Sequence, residues 1–458
     1  MGRDRLFGTD GVRGVANTEL TAKLAFDLGY SGARVLADIS RHRPKILIGK
    51  DTRISCDMLE AAIAAGICSS GADAVSIGVI PTPAAAYLTS LYNADAGVVI
   101  SASHNSFEFN GIKFFDKNGY KLQDSIEDEI EALILAGAAA GSGRAAPTGG
   151  DVGRYRAVRD AGVDYKSYLL SFERRGLSGI RLALDCANGA ASHIARDIFE
   201  TLGARVFPIN NEPDGININD RCGSTHLDAI RKHTADCGAD IGIAFDGDAD
   251  RMLAVDERGR DISGDAIIAL LAIDMHKNGK LRGDTVVTTV MSNLGLEIAV
   301  RRHGIKLVRT AVGDRYVLEE MLKNGYALGG ENSGHIICLD ENTTGDGLIA
   351  ALKLLGVLYG GAGRGRIPVS QMTGVIKTVP QILMNAKVLN KNKATYLDDP
   401  VIRQRCSDIE ARFDGEGRVL IRPSGTEPLI RVMIEAGDGA LIKSEAEGLV
   451  RLIEERLG

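Results

Sequence analysis

Apolar positions along the chain follow two alternating rhythms. Residues 22–37 carry apolar side chains at helical spacing, and 45–48 form a short apolar run. The alternation continues with a helix over 58–69, a strand over 74–79, a helix over 83–91 and a strand over 97–100. It restarts with a strand at 181–185. A helix over 265–277 opens another unit, with strands at 285–289 and 306–309. The last stretch predicts strands at 418–421 and 430–434 and a closing helix over 442–457. Such alternation argues for α/β layers with a mostly parallel or mixed sheet. Glycine-rich breaks at 137–153 and 360–365 mark boundaries. The expected domains are 1–153, 154–257, 258–370 and 371–458.

Length agrees with that division, because 458 residues exceed one core and suggest roughly three or four domains. Charged residues at 25% and hydrophobic ones at 45% describe a soluble globular chain. A net charge of −6 argues against a nucleic-acid partner, which needs a basic face. The seven cysteines are scattered, odd in number and without a C-x-x-C pair. They read as buried thiols in a reducing cytosol. Residues 1–11 are charged and lack the apolar core of a signal peptide. The apolar run 266–273, between Asp265 and Asp274, is far short of the ~20 residues of a membrane span. A cytoplasmic enzyme with no membrane insertion is expected.

Four polar loops follow apolar, strand-like stretches, at 101–105, 246–251, 330–335 and 422–428. Each falls in a different domain-sized segment. Ligands of α/β folds bind at strand carboxyl ends, so four domains presenting one loop each to a shared cleft is the economical arrangement.

The second loop, within I-A-F-D-G-D-A-D-R, places Asp246, Asp248 and Asp250 at alternate positions, on one face of an extended segment. Two like charges ~4 Å apart repel by roughly 4 kcal/mol at an effective dielectric of about 20. Three such groups need a cation, and an all-oxygen set suits magnesium, with calcium or manganese as alternatives. An EF-hand fits poorly. Its sixth position needs glycine and here is Arg251, and the flanks are strand-like rather than helical.

The other loops carry complementary chemistry. S-A-S-H-N offers a serine beside His104, a candidate nucleophile or phosphate carrier, although no G-x-S-x-G elbow surrounds it. G-G-E-N-S-G-H puts Glu331 and Ser333 on one face, suited to sugar hydroxyls, with His335 as a proton-transfer candidate. R-P-S-G-T-E-P offers the planar fork of Arg422 for phosphate, the hydroxyls of Ser424 and Thr426, and a close backbone approach at Gly425.

Together these motifs resemble the α-D-phosphohexomutase superfamily. The likeness runs from F-G-T-D-G-V-R-G at 7–14 to R-P-S-G-T-E-P. D-C-A-N-G-A at 185–190, C-G-S-T-H at 222–226 and V-G-D-R-Y-V at 312–317 resemble its bacterial phosphoglucosamine branch. The resemblance implies three related α/β domains with mixed sheets and a smaller C-terminal α+β domain around a central cleft. It implies that Ser103 is phosphorylated and completes a magnesium site with Asp246, Asp248 and Asp250. Arg13 and Arg251 match residues near the transferring phosphate, and Lys113 and His335 match the proton-transfer positions. Glu331 and Ser333 match sugar ligands. Arg422, Ser424, Gly425 and Thr426 match the grip on the non-reacting phosphate.

The implied activity is reversible conversion of glucosamine 6-phosphate to glucosamine 1-phosphate through a glucosamine 1,6-bisphosphate, which also serves as activator. That reaction supplies UDP-N-acetylglucosamine and cell-wall precursors. The alternatives are a glucose or mannose phosphate mutase and a magnesium-dependent sugar-phosphate phosphatase. A homodimer is compatible with the resemblance. Three positions depart from the family pattern: Ser106, Phe109 and Asn332. Ser106, standing where proline is usual, is expected to loosen the serine loop.

Overall fold

The computed structural model describes residues 5–8, 10–37, 42–137, 146–172, 176–360, 367–393, 395–396, 398–424 and 427–458. Among the described residues four sheets follow one another, with six, five, four and three strands. The first contains β1 (Val12–Val15), β2 (Lys45–Lys50), β3 (Asp73–Val79), β4 (Ala96–Ile100), β5 (Phe109–Asp116) and β6 (Tyr155–Ala157), in the order β1-β5-β4-β2-β3-β6. The second contains β7 (Arg181–Asp185), β8 (Arg205–Ile209), β9 (Ile241–Phe245), β10 (Met252–Asp256) and β11 (Asp261–Ile262), in the order β11-β10-β9-β7-β8. The third contains β12 (Thr285–Thr289), β13 (Lys306–Thr310), β14 (Leu328–Gly330) and β15 (Ile336–Cys338), in the order β13-β12-β14-β15. The fourth, β16 (Gln381–Lys387), β17 (Gly417–Pro423) and β18 (Leu429–Ala436), is antiparallel throughout with β18 central.

The first three sheets repeat one plan. A run of parallel strands, four in the first sheet and three in each of the next two, ends in a strand that the chain reverses from into an antiparallel neighbour: β4 into β5, β9 into β10, and β14 into β15. Each sequence-predicted loop of the first three domains is the connection at that reversal. Strands β4 and β9 are buried at every position, which explains their unbroken apolar runs. β6 lies beyond the expected 153/154 boundary yet pairs with β3, so the first sheet extends to Ala157. Its three residues are all exposed, and no apolar pattern announces it.

One hydrophobic core runs through the first three domains, from Leu47 and Phe115 through Leu184 and Phe245 to Leu271 and Leu354. The fourth domain has its own core, built from Ile402, Ile409, Val432, Ile434 and Leu449 among others. Polar contacts tie it to the third: Arg418 donates to the carbonyls of Val290 and Ser292 at 3.1 Å, and Asn293 donates to the fully buried Glu435 at 2.9 Å. Only Gly360 of the 360–365 break is described; the rest lies outside the described residues. Among the described residues no helix is long and apolar enough to cross a membrane.

Asp346 stitches the second domain to the third. It caps the helix Gly347–Tyr359 by accepting from the N–H groups of Leu348 and Ile349 at 3.0 Å. It also accepts from the buried Tyr165 hydroxyl at 2.5 Å and from Asn342 at 2.9 Å. Asp346→Ala removes the cap and strands that hydroxyl, so it should cost about 2–4 kcal/mol. Tyr165→Phe leaves Asp346 with its other donors and should cost only about 1 kcal/mol. Urea unfolding of the two variants measures the difference, and equal losses would contradict this ranking.

Candidate active site

The serine loop leaves β4 with its two serines turned in different directions. Ser101 Oγ donates to Asp51 at 2.6 Å and accepts from the Ser103 N–H at 2.9 Å. Ser103 Oγ donates to Asp246 Oδ2 at 2.7 Å. Ser101 therefore braces the loop, and Ser103 faces the aspartates. Ser103 has a φ of 51°, in the left-handed region that costs a non-glycine residue about 1 kcal/mol or more.

Hydrogen bonds from two sides hold that conformation. The carbonyls of Ser103 and Asn105 each accept from Arg53 at 2.9 Å, and from Asn219 at 2.8 and 2.9 Å respectively. Arg53 is wholly buried, pairs with Asp51 at 2.9 Å and also donates to the Ser106 carbonyl. Ser106 is thus gripped through its backbone, by a contact that does not depend on its side chain. Arg53 and Asn219 were missing from the sequence candidates. The K-D-T-R that ends β2 is a signal for Arg53; nothing local marks Asn219.

The aspartate loop is the six-residue connection of the β9–β10 hairpin, closed by the Phe245–Met252 pair. Asp246, Asp248 and Asp250 are buried, with ligand oxygens all within 4.8 Å of one another. Gly247 lets the two loops meet. A Cβ there would lie 2.6 Å from the Ser103 carbonyl oxygen and 2.8 Å from Asn219. Asp246 also accepts from the Arg251 N–H at 3.1 Å. Asp248 Oδ2 accepts from Thr82 Oγ1 at 2.7 Å and from Lys113 Nζ at 3.1 Å. Asp248 Oδ1 and Asp250 Oδ1 are buried without a hydrogen-bond partner. Such orphaned oxygens are costly, and their convergence in an all-oxygen set fits a divalent cation. Burial, then the charges of Asp250 and Asp248, push the Asp246 carboxyl well above the usual carboxylate range. Burial acts on Asp250 too, but His335, Lys113 and Arg251 outweigh it and hold that carboxyl well below.

The third loop is knitted to the second by backbone. Arg251 and His335 form an isolated antiparallel bridge, and the Met252 N–H donates to the Gly334 carbonyl at 3.1 Å. This brings His335 Nδ1 to 3.6 Å from Asp250. The Gly345 N–H donates to Nε2 at 3.2 Å, which leaves the ring proton on Nδ1 facing Asp250. Burial disfavours the charged ring, yet Asp250 and then Asp314 raise the His335 pKa overall. Glu331 accepts from the Gly313 N–H and from Ser333 Oγ, both at 3.3 Å. Asn332 exposes its side chain and uses only its carbonyl, toward the Gly264 N–H at 3.2 Å. Its departure from the family pattern therefore touches no site group.

Arg13, Arg251, Asp250, Glu331 and His335 line one cavity of about 530 Å³. His104 Nδ1 lies 3.5 Å from Ser103 Oγ, and burial, then Arg251 and Arg13, lower its pKa. Lys113 reaches the triad from β5, the strand that follows the serine loop. The fourth loop stands apart from this group. Arg422 lies beside Arg431 across β17 and β18, and Ser424 Oγ accepts from the Glu427 N–H at 3.3 Å. Neither lines that cavity, and Gly425 and Thr426 lie outside the described residues.

Models of the phosphoglucomutase/phosphomannomutase family match in order: α/β/α domain I over residues 4–140, domain II over 164–259, domain III over 263–373 and the C-terminal domain over 383–452. The phosphoglucosamine mutase of Acetivibrio thermocellus is 54% identical over 99% of this chain and 100% of its own length. That of Ruminiclostridium cellulolyticum is 56% identical, covering 99% of each. A phosphoglucomutase/phosphomannomutase family protein from Burkholderia thailandensis shares the fold, with a TM-score of 0.81 at 23% identity over 99% of this chain and 98% of its own. So does Aspergillus fumigatus N-acetylphosphoglucosamine mutase, solved with GlcNAc-6P and magnesium, with a TM-score of 0.64 at 17% identity over 99% and 96%. By these matches and by the architecture of its loops, the chain belongs to the phosphoglucosamine mutase family, within the phosphoglucomutase/phosphomannomutase superfamily.

Proposed function

We propose that this isomerase interconverts glucosamine 6-phosphate and glucosamine 1-phosphate through a phosphorylated Ser103 and a glucosamine 1,6-bisphosphate. The observation that carries the reading is Ser103 Oγ held 2.7 Å from Asp246, at the mouth of a buried three-aspartate hairpin. We assign magnesium to Asp246, Asp248, Asp250 and an oxygen on Ser103. When bound, it neutralises charge on the transferring phosphoryl group.

In the first half-reaction the phosphorus–oxygen bond at Ser103 breaks as one forms to the free sugar hydroxyl. The proton of that hydroxyl passes to the neutral ring of His335, while Lys113, already an ammonium paired with Asp10 and Asp248, offers its charge to the transferring oxygens. Arg13 and Arg251 steady the phosphoryl oxygens, and His104 flanks the serine. Glu331 and Ser333 pair with sugar polar groups. The bisphosphate then turns end for end, and its other phosphate returns to Ser103. Arg422 and Ser424, with Gly425 and Thr426, hold the distal phosphate. The separate core of the fourth domain supports this role, since that domain can move as a unit about its Arg418 and Asn293 contacts with the third.

Turnover of glucosamine 6-phosphate, glucose 6-phosphate and mannose 6-phosphate tests the assignment. Glu331 can meet an ammonium more strongly than a neutral hydroxyl, so the amino sugar should lead in kcat/KM by at least about tenfold. Equal constants would make the chain a general hexose phosphate mutase. For the metal, Asp248→Asn should weaken magnesium binding by about tenfold or more, because one of three anionic ligands is lost. Calorimetric titration measures this. Unchanged affinity, or full turnover after exhaustive chelation, would remove the cation from the account.

A further inference from the structure

Six ionisable side chains, acidic and basic in turn, form a closed circuit that runs through Asp250 of the triad. Lys113 Nζ lies 3.1 Å from Asp10 Oδ2. Lys121 Nζ lies 2.6 Å from Asp10 Oδ1 and 2.5 Å from Asp314 Oδ2. Asp314 Oδ2 lies 3.6 Å from His335 Nε2. His335 Nδ1 lies 3.6 Å from Asp250 Oδ2, which lies 4.0 Å from Lys113 Nζ. The circuit crosses three domains, with Asp10, Lys113 and Lys121 on the first, Asp250 on the second, and Asp314 and His335 on the third.

The proposed reaction uses Lys113 and His335 but gives no role to Asp10, Lys121 or Asp314. Lys121 occupies the critical place among these. Its two partners belong to different domains, and neither is a metal ligand. A bridge between Phe115 and Lys121 anchors its backbone to the end of β5, the strand that carries Lys113. Asp314 opens the helix Asp314–Asn324, and its neighbour Arg315 makes a second crossing to Asp124 of the first domain. Short bonds from an ammonium to two carboxylates are the stronger, charge-assisted kind. The bridge also divides space. The 530 Å³ cavity and a second one of about 580 Å³ share Asp10, Gly11, Asp314 and His335. Lys113 and Lys121 line only the second, whereas Arg13, Arg251 and Glu331 line only the first.

We propose that Lys121 is a positioning residue for phosphoryl transfer: by bridging Asp10 to Asp314 it fixes Lys113 and His335, on separate domains, at the spacing the reaction needs. This rests on the mutase reading above. Lys121 acts through its partners, so its loss slows the chemical step without removing a substrate contact. Displacements of about 1 Å at reacting groups cost up to about a hundredfold in rate.

The test is Lys121→Met in the full chain, with Lys121→Arg as the charge-keeping control and amide hydrogen exchange as a readout that needs no turnover. In Lys121→Met, kcat on glucosamine 6-phosphate should fall about 10- to 100-fold with KM within about threefold of wild type. Lys121→Arg should recover most of that loss. Exchange should rise in Lys121→Met around 314–324 and 335–338. A kcat near wild type, a loss carried by KM, a loss that Lys121→Arg does not restore, or unchanged exchange each overturns the proposal. Should Lys121→Met fail to fold, Lys121→Met/Asp314→Asn removes both halves of the bond and is read on the same scale. If the wild-type chain does not turn over the amino-sugar phosphate, the mutase reading fails, while exchange still decides whether Lys121 clamps the two domains.

Discussion

Three buried carboxylates on one six-residue hairpin repel one another, and much of the cleft is arranged to answer that repulsion. Hydroxyls from Ser103 and Thr82, the Arg251 N–H and the Lys113 ammonium each reach an oxygen of Asp246 or Asp248. His335 faces Asp250 from the third domain. Two oxygens still lack a partner, which leaves room in the charge balance for a cation. The phosphorylation proposed for Ser103 would add a charge of about −2 beside this loop and sharpen the need. A site that concentrates negative charge and meets it with fixed cations is what phosphoryl transfer requires.

The repeated domain plan explains how distant residues reach this point. Each of the first three sheets reverses direction at a loop that ends a buried parallel strand, so each offers a short, rigid turn at the same end of its layer. The shared core of those three domains fixes the loops relative to one another. Hydrogen bonds between loops then set the final geometry: Asn219 to the serine loop, and Met252 to Gly334. The fourth domain, with its separate core, is the one least constrained by this arrangement.

Much of this was legible in the sequence. The alternate spacing of Asp246, Asp248 and Asp250 marks a shared face, and the flanking apolar runs β9 and β10 identify it as a strand-bounded turn. The helices 22–37 and 442–457 and the strands around them follow from apolar period alone. Thr82 and Asn219 were not legible, because their partners lie far along the chain: Thr82 meets Asp248 across 166 positions, and Asn219 meets Ser103 across 116. β6 was hidden by exposure, and the helix Pro400–Arg412 by a largely polar composition. The Asp10–Lys121–Asp314 bridge was hidden because charged residues read singly look like a solvated surface.

The central claim is that Ser103 carries the phosphoryl group from one sugar position to the other. Rapid mixing of Ser103-phosphorylated enzyme, isotopically labelled in its phosphate, with excess glucosamine 6-phosphate tests it most directly. Label should leave Ser103 in the first turnover and appear in glucosamine 1,6-bisphosphate, then in product, with none released as inorganic phosphate. Label retained on Ser103 through many turnovers, or recovered stoichiometrically as inorganic phosphate, would contradict it.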